Sequence, residues 1–97
     1  MIDAERWKAL TFPKQMGNIA SELSRASHFQ GQGDSRLTES SLWRAIELIE
    51  LTIDAQGSSV KTRELCRFRE VVCDWYCRTG IYPIQPEALT KYALSFL

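Results

Sequence analysis

The chain has 97 residues, of which 44% are apolar and 25% are charged, and its 12 basic and 12 acidic side chains give a formal net charge of zero. This size and composition predict a single globular domain over residues 1–97. The charge balance argues against a nucleic-acid-binding or membrane-surface protein, which needs a basic excess, and no apolar run approaches the roughly 20 residues of a membrane span.

Cap and turn residues divide the first half of the chain into helices. A first, broken helical region is predicted over Ala4–Leu10 and then Pro13–Phe29, with Thr11 as a cap and proline at an early helical position. The glycine-rich stretch from Gln30 to Arg36 is predicted to be a loop. Thr38 is then a suitable N-cap for a second helix that runs to about residue 55.

The second half of the chain is also predicted to be helical. A third helix is expected over about Val60–Thr79 and ends at Gly80. The segment 81–85 is expected to be extended, and Pro86 begins a short terminal helix that reaches Phe96. The sequence lacks the sustained alternation of apolar and polar residues that is typical of strands. It therefore predicts an all-α, antiparallel four-helix bundle, or five helices when the N-terminal piece forms a helix of its own.

The second predicted helix is apolar on two arcs and acidic on a third. At 100° per residue its main apolar seam and its second apolar arc cover more than half of the circumference. The two arcs consist of Leu42, Ile46, Ile49 and Ile53, and of Ala45, Leu48 and Leu51. Its acids Glu47, Glu50 and Asp54 share one stripe, and Trp43 leads into this stripe.

The third predicted helix carries an arginine on its apolar side. Its charged residues otherwise share the opposite, solvent-facing side, and they are Arg63, Arg67, Glu70, Asp74 and Arg78. Arg69 instead projects beside Leu65 and Val72. Since an unpaired buried charge is costly, Arg69 is expected to reach the acid stripe and form a salt-bridge register between antiparallel second and third helices.

Asn18, Glu22 and Arg25 lie along one flank of the first long helix. With the acid stripe and Arg69 they are predicted to form one interhelical polar network. Such a network is either a structural clasp or a binding site, and the sequence does not choose between them.

Two catalytic or metal-binding alternatives arise from the same residues. Glu47 and Glu50 form an ExxE pair, and Glu70 and Asp74 follow on the next helix, which invites comparison with Mg²⁺-dependent all-α nucleotide pyrophosphohydrolases. Their second motif is ExxD, whereas this chain has ExxxD, and its acids are predicted to face away from the second helix. The sequence therefore favours a chain without a metal or other cofactor, and keeps the hydrolase as the alternative function.

The three cysteines, Cys66, Cys73 and Cys77, lie along one edge of the third helix. A closed zinc site needs four ligands, and the chain has one histidine, His28, on a different helix. The odd cysteine number and the absence of an apolar leader near the start predict reduced thiols in a cytoplasmic protein.

Three sequence blocks resemble a group of short, uncharacterised bacterial proteins found in accessory and mobile genetic settings, including cassette arrays. The blocks are GNIASELSR at 17–25, RAIELIELTID at 44–54 and RELCRFREV at 63–71. The resemblance implies a bacterial helical domain and no particular activity.

The apolar surface of the second helix exceeds what so short a chain is expected to cover. A homodimer or another helical partner is therefore predicted, with Trp7, Leu48, Leu51 and Phe96 as interface candidates. The function expected from the sequence is a non-catalytic protein-interaction or accessory module.

Overall fold

A computed structural model of the chain describes residues 3–57, 59–80 and 85–95, and these residues form five helices and no strand. In chain order they are α1 (Ala4–Ala9), α2 (Phe12–Gly31), α3 (Ser35–Gln56), α4 (Val60–Cys77) and α5 (Pro86–Leu94). The prediction of an all-α bundle is confirmed, and α1 is the separate N-terminal helix.

Side-chain caps decide where the long helices begin. Thr11 accepts a hydrogen bond from the backbone N–H of Lys14 at 3.4 Å, so the predicted cap of α2 is confirmed. The predicted cap of the next helix is wrong, because Asp34 accepts from the Leu37 N–H at 3.0 Å and α3 begins before Thr38. Thr38 is buried inside the helix, and its hydroxyl donates to the Asp34 carbonyl at 2.7 Å. The connection between α2 and α3 is correspondingly shorter than the predicted loop.

Residues with positive φ end α3 and α4. Gly57 follows α3 with a φ of 67°, and Arg78 follows α4 with a φ of 58°. Glycine adopts this conformation without the steric cost that a side chain brings, so Arg78 is the unusual one. Of the predicted extended segment 81–85, Gln85 is extended, with φ −69° and ψ 140°, whereas residues 81–84 and the Phe96 end of the terminal helix lie outside the described residues.

Helix α3 lies at the centre of the bundle. It packs on α2, on α4 and on α1, while α5 packs on α2 and meets α4 through the rings of Phe68 and Tyr92, whose centroids are 5.1 Å apart. Short connections reverse the chain between consecutive long helices, which gives the antiparallel arrangement. The fully buried side chains from three helices that fill the middle of the core include Met16, Ile19, Leu23, Leu42, Ile49, Leu65 and Val72.

Helix α1 covers the second apolar arc of α3. Trp7 is 2% exposed, and its indole N–H donates to the hydroxyl of Thr52 at 3.0 Å. The amide of Gln15 donates to the Trp7 carbonyl at 2.9 Å and joins α1 to α2. Leu48 is also buried. Trp7 and Leu48 are therefore not available as interface residues, because the chain covers this apolar surface itself.

The other two predicted interface residues differ in outcome. Leu51 is half-buried against the core, and Phe96 lies outside the described residues. Most of the second apolar arc of α3 is thus covered within the chain. This arc was the main reason for expecting a second copy.

Candidate functional site

A buried carboxylate connects α2 to α3. The side chain of Glu22 is 8% exposed, and its Oε2 accepts a hydrogen bond from Nε of Arg44 at 2.7 Å. Its Oε1 accepts from Arg25 one turn later on α2. Both arginine side chains are at least half exposed, so each ion pair joins a buried acid to a base that remains in contact with water. This geometry resolves the desolvation problem of Glu22, since both carboxylate oxygens have charged donors.

The predicted polar network is only partly present in this cluster. Glu22 and Arg25 are joined, but Asn18 is exposed and donates to the Lys14 carbonyl of its own helix at 2.8 Å. Arg44, which sequence reasoning did not assign to the network, supplies the contact to α3. Its signal was available, because Arg44 is the one base among the acids of the second predicted helix.

The acid stripe does not meet Arg69. Glu47, Glu50 and Asp54 are exposed, and Arg69 is half-buried on α4. Within the described ranges the ion pairs join Arg25 and Arg44 to Glu22, and Arg78 to Glu39. The predicted salt-bridge register is therefore not formed. Hydrated carboxylates need no partner, and the long stem of an arginine can pack on apolar surface while its charged group stays in water.

An exposed tryptophan precedes these acids on the same side of α3. Trp43 is 53% exposed, and its ring centroid lies 5.8 Å from that of Tyr76 on α4. At helical spacing Trp43, Glu47, Glu50 and Asp54 share one outward arc of α3. We call these four residues the acidic face. Large aromatic residues are enriched at binding surfaces, whereas an isolated exposed leucine or valine is ordinary.

The cysteine edge of α4 lies beside this face. Cys66 and Cys73 are half-buried, Cys77 is exposed, and all three are free thiols. Burial, followed by the nearby Cys77, raises the pKa of Cys73, and the positive charge of Arg69 only partly opposes this shift. The Cys73 thiol therefore keeps its proton at neutral pH, which makes it a poor nucleophile.

The prediction that Asp74 faces solvent is wrong. Asp74 is 8% exposed near the end of α4, where its carboxylate accepts a hydrogen bond from the hydroxyl of Thr79. It lines a cavity together with Gln30 at the end of α2 and Leu89 of α5, which cover this side of α4. The sequence pattern of α4 alone could not show that α5 would be placed there.

The carboxylates of the predicted metal alternative do not converge. Glu47 and Glu50 point outward from α3, Glu70 is exposed on α4, and Asp74 is buried against Thr79. Across the described part of the chain, no group of three or more His, Cys, Asp or Glu side chains is placed to hold a metal ion.

An apolar groove separates α4 from α5. It has a volume of about 320 Å³, and Phe68, Val71 and Leu89 line it. At its edge the hydroxyl of Tyr92 donates to Oε2 of Glu64 at 2.9 Å. Burial and this hydrogen bond raise the pKa of Tyr92.

The described residues form an all-α helical bundle whose central helix, α3, carries the acidic face. Comparison with models of protein families, with curated proteins and with solved structures finds no match. Among the described helices, none joins enough length to enough apolar character to cross a bilayer.

Proposed function

We propose that this protein is a non-catalytic interaction module whose acidic face binds a basic, amphipathic helical segment of another protein. The exposure of Trp43 among Glu47, Glu50 and Asp54 carries the proposal. A tryptophan in such a position can supply a large apolar anchor, and binding energy at interfaces concentrates in residues of this kind.

The charge of the face selects the partner. Three hydrated carboxylates follow one aromatic ring along the same arc of α3, so a complementary surface presents an apolar residue followed by lysines or arginines. The same face on a second copy would bring like charges together, which favours a different chain over self-association. The resemblance to short bacterial accessory proteins agrees with a small module that acts through a partner.

The support of Trp43 also suits recognition. Tyr76 packs against one side of the Trp43 indole and limits its rotation. The helix that carries Trp43, α3, is itself fixed by packing on three other helices. An anchor that is ordered before binding loses less conformational entropy when the partner arrives.

The test uses the full chain and a synthetic amphipathic helix with leucines on one face and lysines on the other. In calorimetric titration at low and moderate salt, binding should weaken as salt increases, because exposed charges are screened. Trp43→Ala should weaken binding by about 30-fold or more, the loss typical of an interface anchor. The double variant Glu47→Gln/Glu50→Gln should weaken it and reduce its salt dependence.

Matched controls separate this face from general charge attraction. Glu5→Gln/Glu87→Gln removes the same charge from two other exposed acids and should leave binding unchanged. A peptide with glutamates in place of the lysines should not bind. The proposal is rejected if the wild-type chain ignores the lysine peptide, or if both double variants weaken binding equally. Sedimentation of the free chain as a stable dimer would instead favour self-association.

A further inference from the structure

A cavity of about 300 Å³ opens at the end of the bundle where α2 ends, α3 begins and α4 ends. Trp75 and Tyr76 form its aromatic walls, and Gln30, Glu39 and Arg78 supply polar groups. A second cavity of about 250 Å³ shares Gln30, Trp75 and Arg78 with the first. The volume of the first cavity is at the lower end of the range for small-molecule sites. A few polar groups in an aromatic pocket are typical of such sites. None of the residues that line the two cavities belongs to the acidic face.

The aromatic wall is held in place. The indole N–H of Trp75 donates to Oε1 of Gln30 at 2.7 Å and so connects the end of α4 to the end of α2. This bond orients the ring before any ligand arrives. Because Gln30 uses its oxygen for the indole, its amide nitrogen can serve as a donor toward the cavity.

The cation at the cavity occupies a costly backbone position. Arg78 has a φ of 58°, a conformation for which glycine is the usual residue after a helix. The chain nevertheless places an arginine here, and its side chain borders both cavities. Residues held in such conformations are concentrated at functional sites.

The guanidinium group of Arg78 forms only a weak ion pair. Its Nη2 lies 3.5 Å from Oε1 of Glu39, and both side chains are more than half exposed. An exposed pair at this distance contributes little and exchanges readily. Asp74, which lines the second cavity, is buried and accepts a hydrogen bond from the hydroxyl of Thr79.

We propose that this cavity binds a small planar aromatic molecule that carries one anionic group. Its ring packs against Trp75 and Tyr76, where offset and edge-to-face contacts are favourable. Its anionic group replaces the carboxylate of Glu39 on Arg78, whose planar guanidinium can donate two parallel hydrogen bonds.

Titration of the ¹⁵N-labelled full chain with indole-3-acetate tests the proposal. Indole and tryptamine serve as neutral and cationic probes with the same ring. Indole-3-acetate should cause saturable shifts of the Trp75 indole N–H and of the Gly33 backbone amide. Arg78→Gln should weaken its binding by about tenfold, as expected for loss of a charged donor, whereas Glu39→Gln should tighten it by about threefold, since it frees the arginine. A purely structural ion pair would not give these opposite effects.

Arg63→Gln is the matched control, because Arg63 is exposed near the other end of α4 and should leave binding unchanged. The proposal is overturned if all three probes cause no saturable shift at these two resonances up to about 5 mM, a limit that corresponds to very weak binding. It is also overturned if tryptamine binds as tightly as indole-3-acetate, or if Glu39→Gln weakens binding. Trp43→Ala changes the anchor of the acidic face and no residue that lines the cavity, so the two proposals can fail separately.

Discussion

Nε of Arg44 lies 2.7 Å from Oε2 of Glu22, and this contact joins α3 to α2 across 22 positions of sequence. The same carboxylate also accepts from Arg25. One buried acid therefore organises two arginines that remain in contact with water, and the helix pair depends on a charge that neither helix could bury alone.

Glu22→Gln should destabilise the protein by about 1–3 kcal/mol, because the amide keeps the volume but loses both charge-assisted contacts. The loss is below that of a fully buried ion pair, since both arginines can turn to solvent. Urea unfolding measures the effect. Glu47→Gln, an exposed acid on α3, should stay within about 0.5 kcal/mol of wild type. Equal stability of the two variants would show that the cluster contributes nothing specific.

Trp7→Phe should cost about 1–3 kcal/mol, because it removes the donor to Thr52 and leaves a small void beneath α1. Trp43→Phe is the matched substitution on the surface and should have little effect on the free energy of unfolding. Comparison of the two urea midpoints tests whether α1 is an integral part of the core. If both variants unfolded with the wild type, α1 would not be stably docked.

Arg78→Gly should stabilise the chain by about 0.5–1 kcal/mol, because glycine adopts the left-handed conformation without steric cost. Arg67→Gly, within α4, should instead destabilise it by about 1 kcal/mol through lost helix propensity. Thermal unfolding of the two variants should therefore move in opposite directions. A loss of stability in Arg78→Gly would mean that its side-chain contacts outweigh the backbone strain.

Alkylation should distinguish the three thiols. Cys77 is exposed and should react first with iodoacetamide near pH 8, whereas Cys73, whose pKa is raised chiefly by burial, should react slowly. Peptide mass spectrometry after a short reaction gives the order. Labelling in urea should remove the difference, and similar rates in the folded chain would contradict the burial of Cys73.

Stability should fall as the pH rises above about 9, the ordinary range of a cysteine. The folded chain holds the proton of the Cys73 thiol more tightly than the unfolded chain does. The contribution of this thiol to the free energy of unfolding is therefore complete below this pH, and it is lost as the pH rises through the pKa of Cys73 in the folded state. Urea unfolding at pH 8 and pH 10 should show this loss, and Cys73→Ala should show less of it. An identical pH dependence in the variant would exclude Cys73 as a source.

Cap residues and prolines in the sequence predicted where most of the helices begin. Thr11 caps α2 as its side chain suggests, and Pro86 begins α5, since both residues act on the backbone next to them. Thr38 misled the prediction because Asp34 was a second eligible cap four residues earlier. A choice between two local caps depends on how much of the helix the bundle can bury, and Thr38 itself ends in the core.

The charged residues were harder to assign, because the partner of a charge is chosen by packing. The sequence predicted an all-α chain, its apolar seams and an acid stripe along one side of α3, and it wrongly turned that stripe toward Arg69. Only the tertiary structure decided that Glu22 pairs with Arg44, that Arg69 leaves the acid stripe to solvent and that Asp74 is buried beside Thr79. Helical periodicity fixes the direction of a side chain within its own helix, whereas burial and pairing depend on which other helix covers that direction.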